Sequence, residues 1–184
     1  MSSKRINLRP RRLAHAPTSY AWQRDLELAR LDASPPLTMS FPSYLSAYCD
    51  ELRHPSDTRR NFAIETEDGK HIGNCSCYEI NQKKSEAQAG IMIGDRAYWD
   101  QGYGAETLTA LVDLIFRETD LKRVYLKTLV DNIRAQKCFL KCGFAACGHL
   151  ARDGHHFLLM ELLRKDWEKR NRESQDKKDE EPAD

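Results

Sequence analysis

The sequence has no apolar run long enough to cross a membrane, and its start lacks the apolar core of a secretory signal. The expectation is a cytoplasmic protein with no membrane partner. Charge of one sign is lacking too: 29 Lys and Arg against 28 Asp and Glu leave a formal net charge of +1. No basic field is available to hold nucleic acid, which is excluded as the main partner. The local cluster Arg9, Arg11 and Arg12 reads as a solvated edge. There is no internal repeat. A complete metal-ligand pattern is also missing from the six cysteines. Cys75 and Cys77 share a strand face, and Cys138 and Cys142 stand one helical turn apart, but no His or Cys pair completes a zinc set. They read as reduced thiols, mostly small buried hydrophobes, and no metal is expected.

What is present suits one folded unit. At 184 residues and 40% apolar content the chain can build a single core. Composition changes after Trp167, and from Asn171 to Asp184 the chain is almost wholly polar. The expected organisation is a domain over residues 1–170 and a charged, disordered tail over 171–184.

Periodicity supplies the elements. Strands are predicted at Arg5 to Arg9, Phe62 to Thr66, His71 to Ile80, Glu86 to Ile93, Arg123 to Val130, Phe144 to Leu150 and His156 to Leu163. One helix is predicted from Pro17 to Leu31 and another from Pro42 to Arg53. A third follows Gly104, with Leu108, Leu111, Val112 and Ile115 on one face, and ends near Thr119. Asp131-Asn132 caps a fourth, stopped by Gly143, and Asp153-Gly154 joins the last two strands as a hairpin. The pattern is α/β, with helices on both faces of a mixed sheet.

Gly102 and Gly104 sit where a strand exit meets a helix start. Glycine lets the backbone approach a ligand closely, and the free amides and dipole of a helix start favour an anion such as a pyrophosphate. The loop lacks a Walker lysine and the full dinucleotide fingerprint. On its own it reads equally well as a tight turn.

The flanking residues carry more. Gly90-Ile91-Met92-Ile93-Gly94-Asp95 followed by Tyr98-Trp99-Asp100-Gln101-Gly102-Tyr103-Gly104-Ala105-Glu106 resembles the acetyl-CoA-binding signature of the GNAT N-acetyltransferase superfamily. Asn132-Ile133-Arg134-Ala135 and Phe139-Leu140-Lys141-Cys142-Gly143-Phe144 resemble its second cofactor motif. Trp22 to Leu31 is similar to the first helix of the branch holding the ribosomal-protein-alanine and spermidine acetyltransferases. The resemblance implies a mostly antiparallel central sheet that splays at the cofactor site. It further implies that the unpaired backbone groups of Ile91 and Ile93 pair with the pantetheine arm, with Met92 also at the cofactor site. The amides from Gln101 through Gly102, Tyr103, Gly104 and Ala105 would hold the pyrophosphate, with Trp99, Asn132 and Phe139 beside the cofactor. It implies direct transfer of acetyl from acetyl-CoA to an amine: a protein N-terminus, a polyamine or an aminoglycoside. Homodimer formation is left open.

Three departures matter. Trp99 stands where the family often has Arg or Gln. Gln88 occupies the position of a frequent glutamate base, and Phe139 that of a frequent tyrosine acid. Weak proton-transfer equipment fits an α-amine, pKa about 8, better than a lysine-type amine, pKa about 10.4. Glu86, Glu79 and Glu51 are alternative bases through water, as are His71, His155 and His156. Asp25, Glu27, Asp32, Asp50 and Glu51 are candidates for an acidic pocket. A CoA-binding sensor that has lost catalysis is the second reading.

Overall fold

The computed structural model describes residues 5–179. Seven strands form one sheet in the order β1-β2-β3-β4-β5-β7-β6. They are β1 (Ile6–Pro10), β2 (Arg59–Thr66), β3 (His71–Asn81), β4 (Glu86–Ile93), β5 (Arg123–Leu129), β6 (Ala145–Arg152) and β7 (His155–Leu163). Every neighbouring pair is antiparallel except β4 and β5.

Side-chain alternation sorts the two faces. Cys75, Cys77, Ala87 and Ala89 join a core with Leu108, Leu111, Val112 and Ile115 of α4 (Tyr103–Glu118). On the opposite face, Asn74 is hydrogen-bonded to Ser19 of α1 (Ala16–Arg24) at 3.1 Å. Helices therefore cover both faces, as the α/β reading expects.

The first helical stretch is two helices rather than one. At Asp25 the backbone turns extended, and its carboxylate accepts from the amides of Glu27 and Leu28 to cap α2 (Leu26–Leu31). A helix-period pattern does not reveal such a break, because Asp serves equally on a helix surface or at a cap. α3 (Phe41–Arg53) starts at Ser40, whose hydroxyl accepts from Ser43 N–H.

The disordered tail expected from Asn171 is corrected in part: α6 runs Arg164–Asp179. Residues 180–184 lie outside the described residues. The helix is anchored at its start. Arg164 donates to the carbonyls of Phe116 at 2.8 Å, Leu121 at 2.7 Å and Thr119, at and just beyond the C-terminal end of α4. Trp167 stacks on Phe116 and donates to Asp113 at 2.6 Å. From that start, Lys, Arg, Glu and Gln propagate the helix, since such straight-chain residues lose little rotamer freedom in it.

Candidate active site

Strand β4 stays with β3 to its end, pairing Ile91 with Cys75 and Ile93 with Gly73. Its other edge stays with β5 only from Glu86 to Gln88. From Ala89 onward the two parallel strands diverge, which is the splay the sequence motif implied. A cleft of about 580 Å³ opens in this gap, a volume usual for a small-molecule site.

Of the residues singled out by sequence, Ile91, Met92, Ile93, Trp99, Gly102, Gly104, Ala105, Asn132 and Phe139 line the cleft. Gln101 and Tyr103 do not contribute side chains. The Gln101 amide turns back to the carbonyl of Ala97, and the Tyr103 ring lies under Arg5 at 4.4 Å. Arg5 also donates to the Gln101 carbonyl at 3.1 Å and pairs with Glu106 at 3.0 Å. The first strand thus braces the turn.

The turn itself has the shape anion binding needs. Gly102 adopts φ +87°, where a side chain is strained, and caps α4. The first α-helical bond runs from Glu106 N–H to the Gly102 carbonyl, so the amides of Tyr103, Gly104 and Ala105 precede the ladder. A methyl placed on Gly104 would stand 3.4 Å from Cys138 Sγ. Opposite, α5 (Ile133–Lys141) presents Arg134, Lys137, Cys138 and Lys141 to the cleft. Asn132 caps that helix by accepting from Ala135 N–H at 3.2 Å. One end of the cleft therefore offers amides and three cations, and the interior is apolar at Leu28, Ile91 and Phe139. An extended ligand with an anionic head and an amide-bearing arm fits this donor set.

Trp99 has its own arrangement. Its indole N–H donates to the Ile93 carbonyl at 2.6 Å, and Arg134 lies 3.6 Å over its ring. Arg96 stacks on it more loosely and is held by Asp25 and Glu27.

The proton-transfer positions are closed. Gln88 is buried and donates to the Tyr78 hydroxyl at 2.6 Å. Phe139 packs toward Phe144 and carries no proton to give. Among the other candidates, Glu86 is held by Arg123 at 2.6 Å and Glu79 accepts from Tyr125 at 2.8 Å. Glu51 pairs with Arg11 away from the cleft. His71 stacks on His15 and Trp22 under α1, and His155 and His156 are exposed on the hairpin. Of the acidic set, Asp25 and Glu27 are taken by Arg96 and Asp50 pairs with Arg53. Asp32 alone of the set lines the cleft, where crowding by protein raises its carboxyl above the usual range against the pull of Lys127. The neighbouring Tyr78 phenol is pushed up to about 12 by burial.

Sequence reading missed the basic face of α5. The signal was present: Arg134, Lys137, Cys138 and Lys141 recur at helical spacing. Leu28 and Leu31 were missed because they reach the cleft from α2, distant in sequence, whereas Tyr98 and Asp100 lie inside the signature beside Trp99 and were not singled out.

A helix start facing an open strand edge across a cationic rim is a geometry suited to an anion-headed ligand lying between diverging strands. The chain belongs to the GNAT acetyltransferase family: residues 5–145 match the family model for the acetyltransferase (GNAT) domain. The spermidine N(1)-acetyltransferase of Vibrio cholerae serotype O1 is 27% identical over 97 residues, 53% of this chain and 56% of that enzyme. The match thus spans about half the length of this curated relative. The crystal structure of spermidine N-acetyltransferase from Vibrio cholerae, in complex with CoA and spermine, superposes with a TM-score of 0.81. It is 20% identical, and the superposition covers 90% of this chain and 99% of that one. An aminoglycoside acetyltransferase in complex with coenzyme A superposes with a TM-score of 0.75 at 17% identity, covering 89% of this chain and 98% of that one. At these identities the likeness is one of fold. Among the described residues no helix is long and apolar enough to cross a membrane, and no group of three His, Cys, Asp or Glu is placed to hold a metal.

Proposed function

We propose that this chain transfers acetyl from acetyl-CoA directly to the amine of a small cationic acceptor. The observation that carries the reading is the divergence of β4 from β5 after Gln88, directly beside the amide-rich start of α4. In this reading the amides of Gly102 to Ala105, with Arg134, Lys137 and Lys141, take the phosphates. The free edge of β4 at Ile91 and Ile93 takes the pantetheine amides. A β4 backbone N–H polarises the thioester carbonyl and holds the oxyanion when the amine attacks. The thiolate leaves without a side-chain acid, which a thiol pKa of about 8.5 tolerates.

The acceptor enters from the α2 side, where Asp32 attracts its ammonium group. The relatives above carry the names of polyamine and aminoglycoside acetyltransferases, which supports a small polycation over a protein N-terminus. Gln88 and Phe139 favour a second reading, a CoA-binding sensor without turnover.

One experiment separates the two. A panel of polyamines, aminoglycosides and N-terminal peptides is incubated with acetyl-CoA, and products are identified by mass. Acetylated polyamine or aminoglycoside supports the first reading. Acetyl-CoA binding with no acetylated product in any arm supports the sensor, and a peptide-only product refutes the small-molecule acceptor.

A further inference from the structure

The transfer proposed above leaves one phenol beside the gap unused. Tyr78 of β3 stands directly opposite Gln88 of β4, and Gln88 is the last residue that β4 pairs with β5. Cys77 and Ala89 face α4, so alternation puts Tyr78, Gln88 and Gly90 together on the opposite face of the sheet. From β3 the Tyr78 ring leans over β4. A methyl placed on Gly90 would stand 3.0 Å from its Cε1 and 3.8 Å from its Oη. Gly90 is the second residue beyond the last rung with β5, so the hydroxyl stands over the first stretch of β4 that has lost its neighbour. The missing side chain of Gly90 is what gives the ring that place.

The phenol is held from behind. Gln88 is buried and its amide donates to the Tyr78 hydroxyl at 2.6 Å, while Arg59 lies 4.9 Å over the ring. Tyr125, the β5 partner of Gln88, is committed elsewhere, donating its O–H to Glu79 at 2.8 Å. A phenol oxygen has two lone pairs and one O–H. The Gln88 amide uses one lone pair, and among the described residues no other side chain is hydrogen-bonded to this oxygen. Turning the Gln88 amide over would make it the acceptor and free both lone pairs, so in either orientation one stays open to an N–H donor. Asp32 of the cleft bears on the same phenol. Burial pushes that phenol up to about 12, so it keeps its proton at neutral pH and is an acceptor of hydrogen bonds rather than a base.

We propose that Tyr78 receives the reacting amine: its Oη accepts one amine N–H over Gly90 and turns the nitrogen lone pair toward the thioester carbonyl, Gln88 fixes the hydroxyl, and Asp32 holds a second ammonium group of the same molecule. The assignment rests on the proposed transfer and narrows the acceptor to a primary amine with a further cationic group. A primary amine has one N–H to be held and another to lose. The nitrogen–carbon bond forms as the lone pair enters the carbonyl, the carbon–sulfur bond then breaks, and its electron pair leaves with the thiolate. The proton shed by nitrogen passes to water, water returns one to the thiolate, and Tyr78 keeps its own.

The test compares the parent protein with Tyr78→Phe, Gln88→Leu, the double variant and Gly90→Ala, using acetyl-CoA and the best polyamine or aminoglycoside of the panel. Phenylalanine keeps the ring over Gly90 and under Arg59, so melting temperature and acetyl-CoA affinity should match the parent's. In Tyr78→Phe kcat/KM for the acceptor should fall about 10- to 100-fold, the scale of a misplaced reacting group, mainly through kcat. Gln88→Leu should lower kcat in the parent background and cost nothing further once Tyr78 is Phe, because Gln88 acts through that hydroxyl. Gly90→Ala retains the hydroxyl but displaces it, and should lower kcat in the same direction. Parental kcat/KM in Tyr78→Phe, or a loss confined to acetyl-CoA affinity, would overturn the assignment and leave the transferase reading standing. A Gln88→Leu effect of equal size in both backgrounds would make Gln88 merely structural and overturn its part. Acetyl-CoA bound by the parent protein with no acetylated product would overturn the transferase reading and this assignment together.

Discussion

The indole N–H of Trp99 donates to the carbonyl of Ile93 at 2.6 Å, and Arg134 from the facing helix stacks 3.6 Å over the same ring. One side chain thus ties the end of β4 to the start of α5 across the open gap. Trp22 and Trp167 do not line this cleft. Titration with acetyl-CoA should change tryptophan emission through Trp99, and Trp99→Phe should remove that change. An unaltered signal in the variant would mean that Trp99 does not sense the ligand.

Gly104 tests the phosphate turn. A methyl there meets Cys138 Sγ at 3.4 Å, an ordinary contact, but the branches of valine extend into the cleft. Gly104→Val should fold and should bind acetyl-CoA at least about tenfold more weakly, about 1.4 kcal/mol. Acetyl-CoA should raise the melting temperature of the parent protein, and that rise should shrink accordingly in the variant. An unchanged rise in folded Gly104→Val would place the phosphates elsewhere.

His71 makes stability depend on pH. Burial and the neighbouring His15 lower its pKa, and its ring is hydrogen-bonded to Thr18 at 2.6 Å and Asn74 at 3.2 Å. The unfolded chain therefore binds a proton at a higher pH than the folded one, starting from about 6.5. The contribution of His71 is complete above that pH and is lost as pH falls toward the depressed folded value. Urea midpoints measured from pH 7.5 to 5 should fall for the parent protein and flatten for His71→Gln. Parallel slopes would remove His71 as the source.

Arg164 satisfies carbonyls of Phe116, Thr119 and Leu121 around the end of α4, where a cation also opposes the helix dipole. Arg164→Ala should destabilise the fold by about 1–3 kcal/mol. Binding of acetyl-CoA should be nearly unchanged, because Arg164 does not line the cleft. Denaturation and binding measured on the same preparation check both halves.

Gln88→Glu would restore a carboxylate beside the Tyr78 hydroxyl, now 2.6 Å from the Gln88 amide. If proton removal limits turnover, kcat/KM for an acceptor of pKa about 10.4 should rise more than for one of pKa about 8, by up to about 10²-fold. Equal change for both acceptors would show that the proton leaves by another route.

How far sequence carried the structure follows from what each residue does locally. β4 matched its predicted bounds because Glu86 to Ile93 is flanked by a polar turn and Gly94. Asn132 at the cap of α5 was legible because capping is a local act. The break at Asp25 was not, since it depends on a carboxylate choosing two amides over solvent. The persistence of α6 was hidden because its start is fixed by Asp113, Phe116 and the end of α4, distant in sequence. In the cleft, backbone features announced themselves through glycine. Asp32 and Tyr78 come together only in the folded chain, and no spacing rule pairs them.

The gap between β4 and β5 gives this sheet two raw borders in its middle, the kind of surface that other sheets hide by pairing or charge because it invites a foreign strand. Here two side chains blunt it. Trp99 occupies the carbonyl of Ile93 at one lip, and Gln136 takes the carbonyls of Leu129 and Val130 where β5 ends. In the proposed reading the border that would take a small molecule as a surrogate strand thus has, at its two ends, fewer open carbonyls to offer an intruding polypeptide.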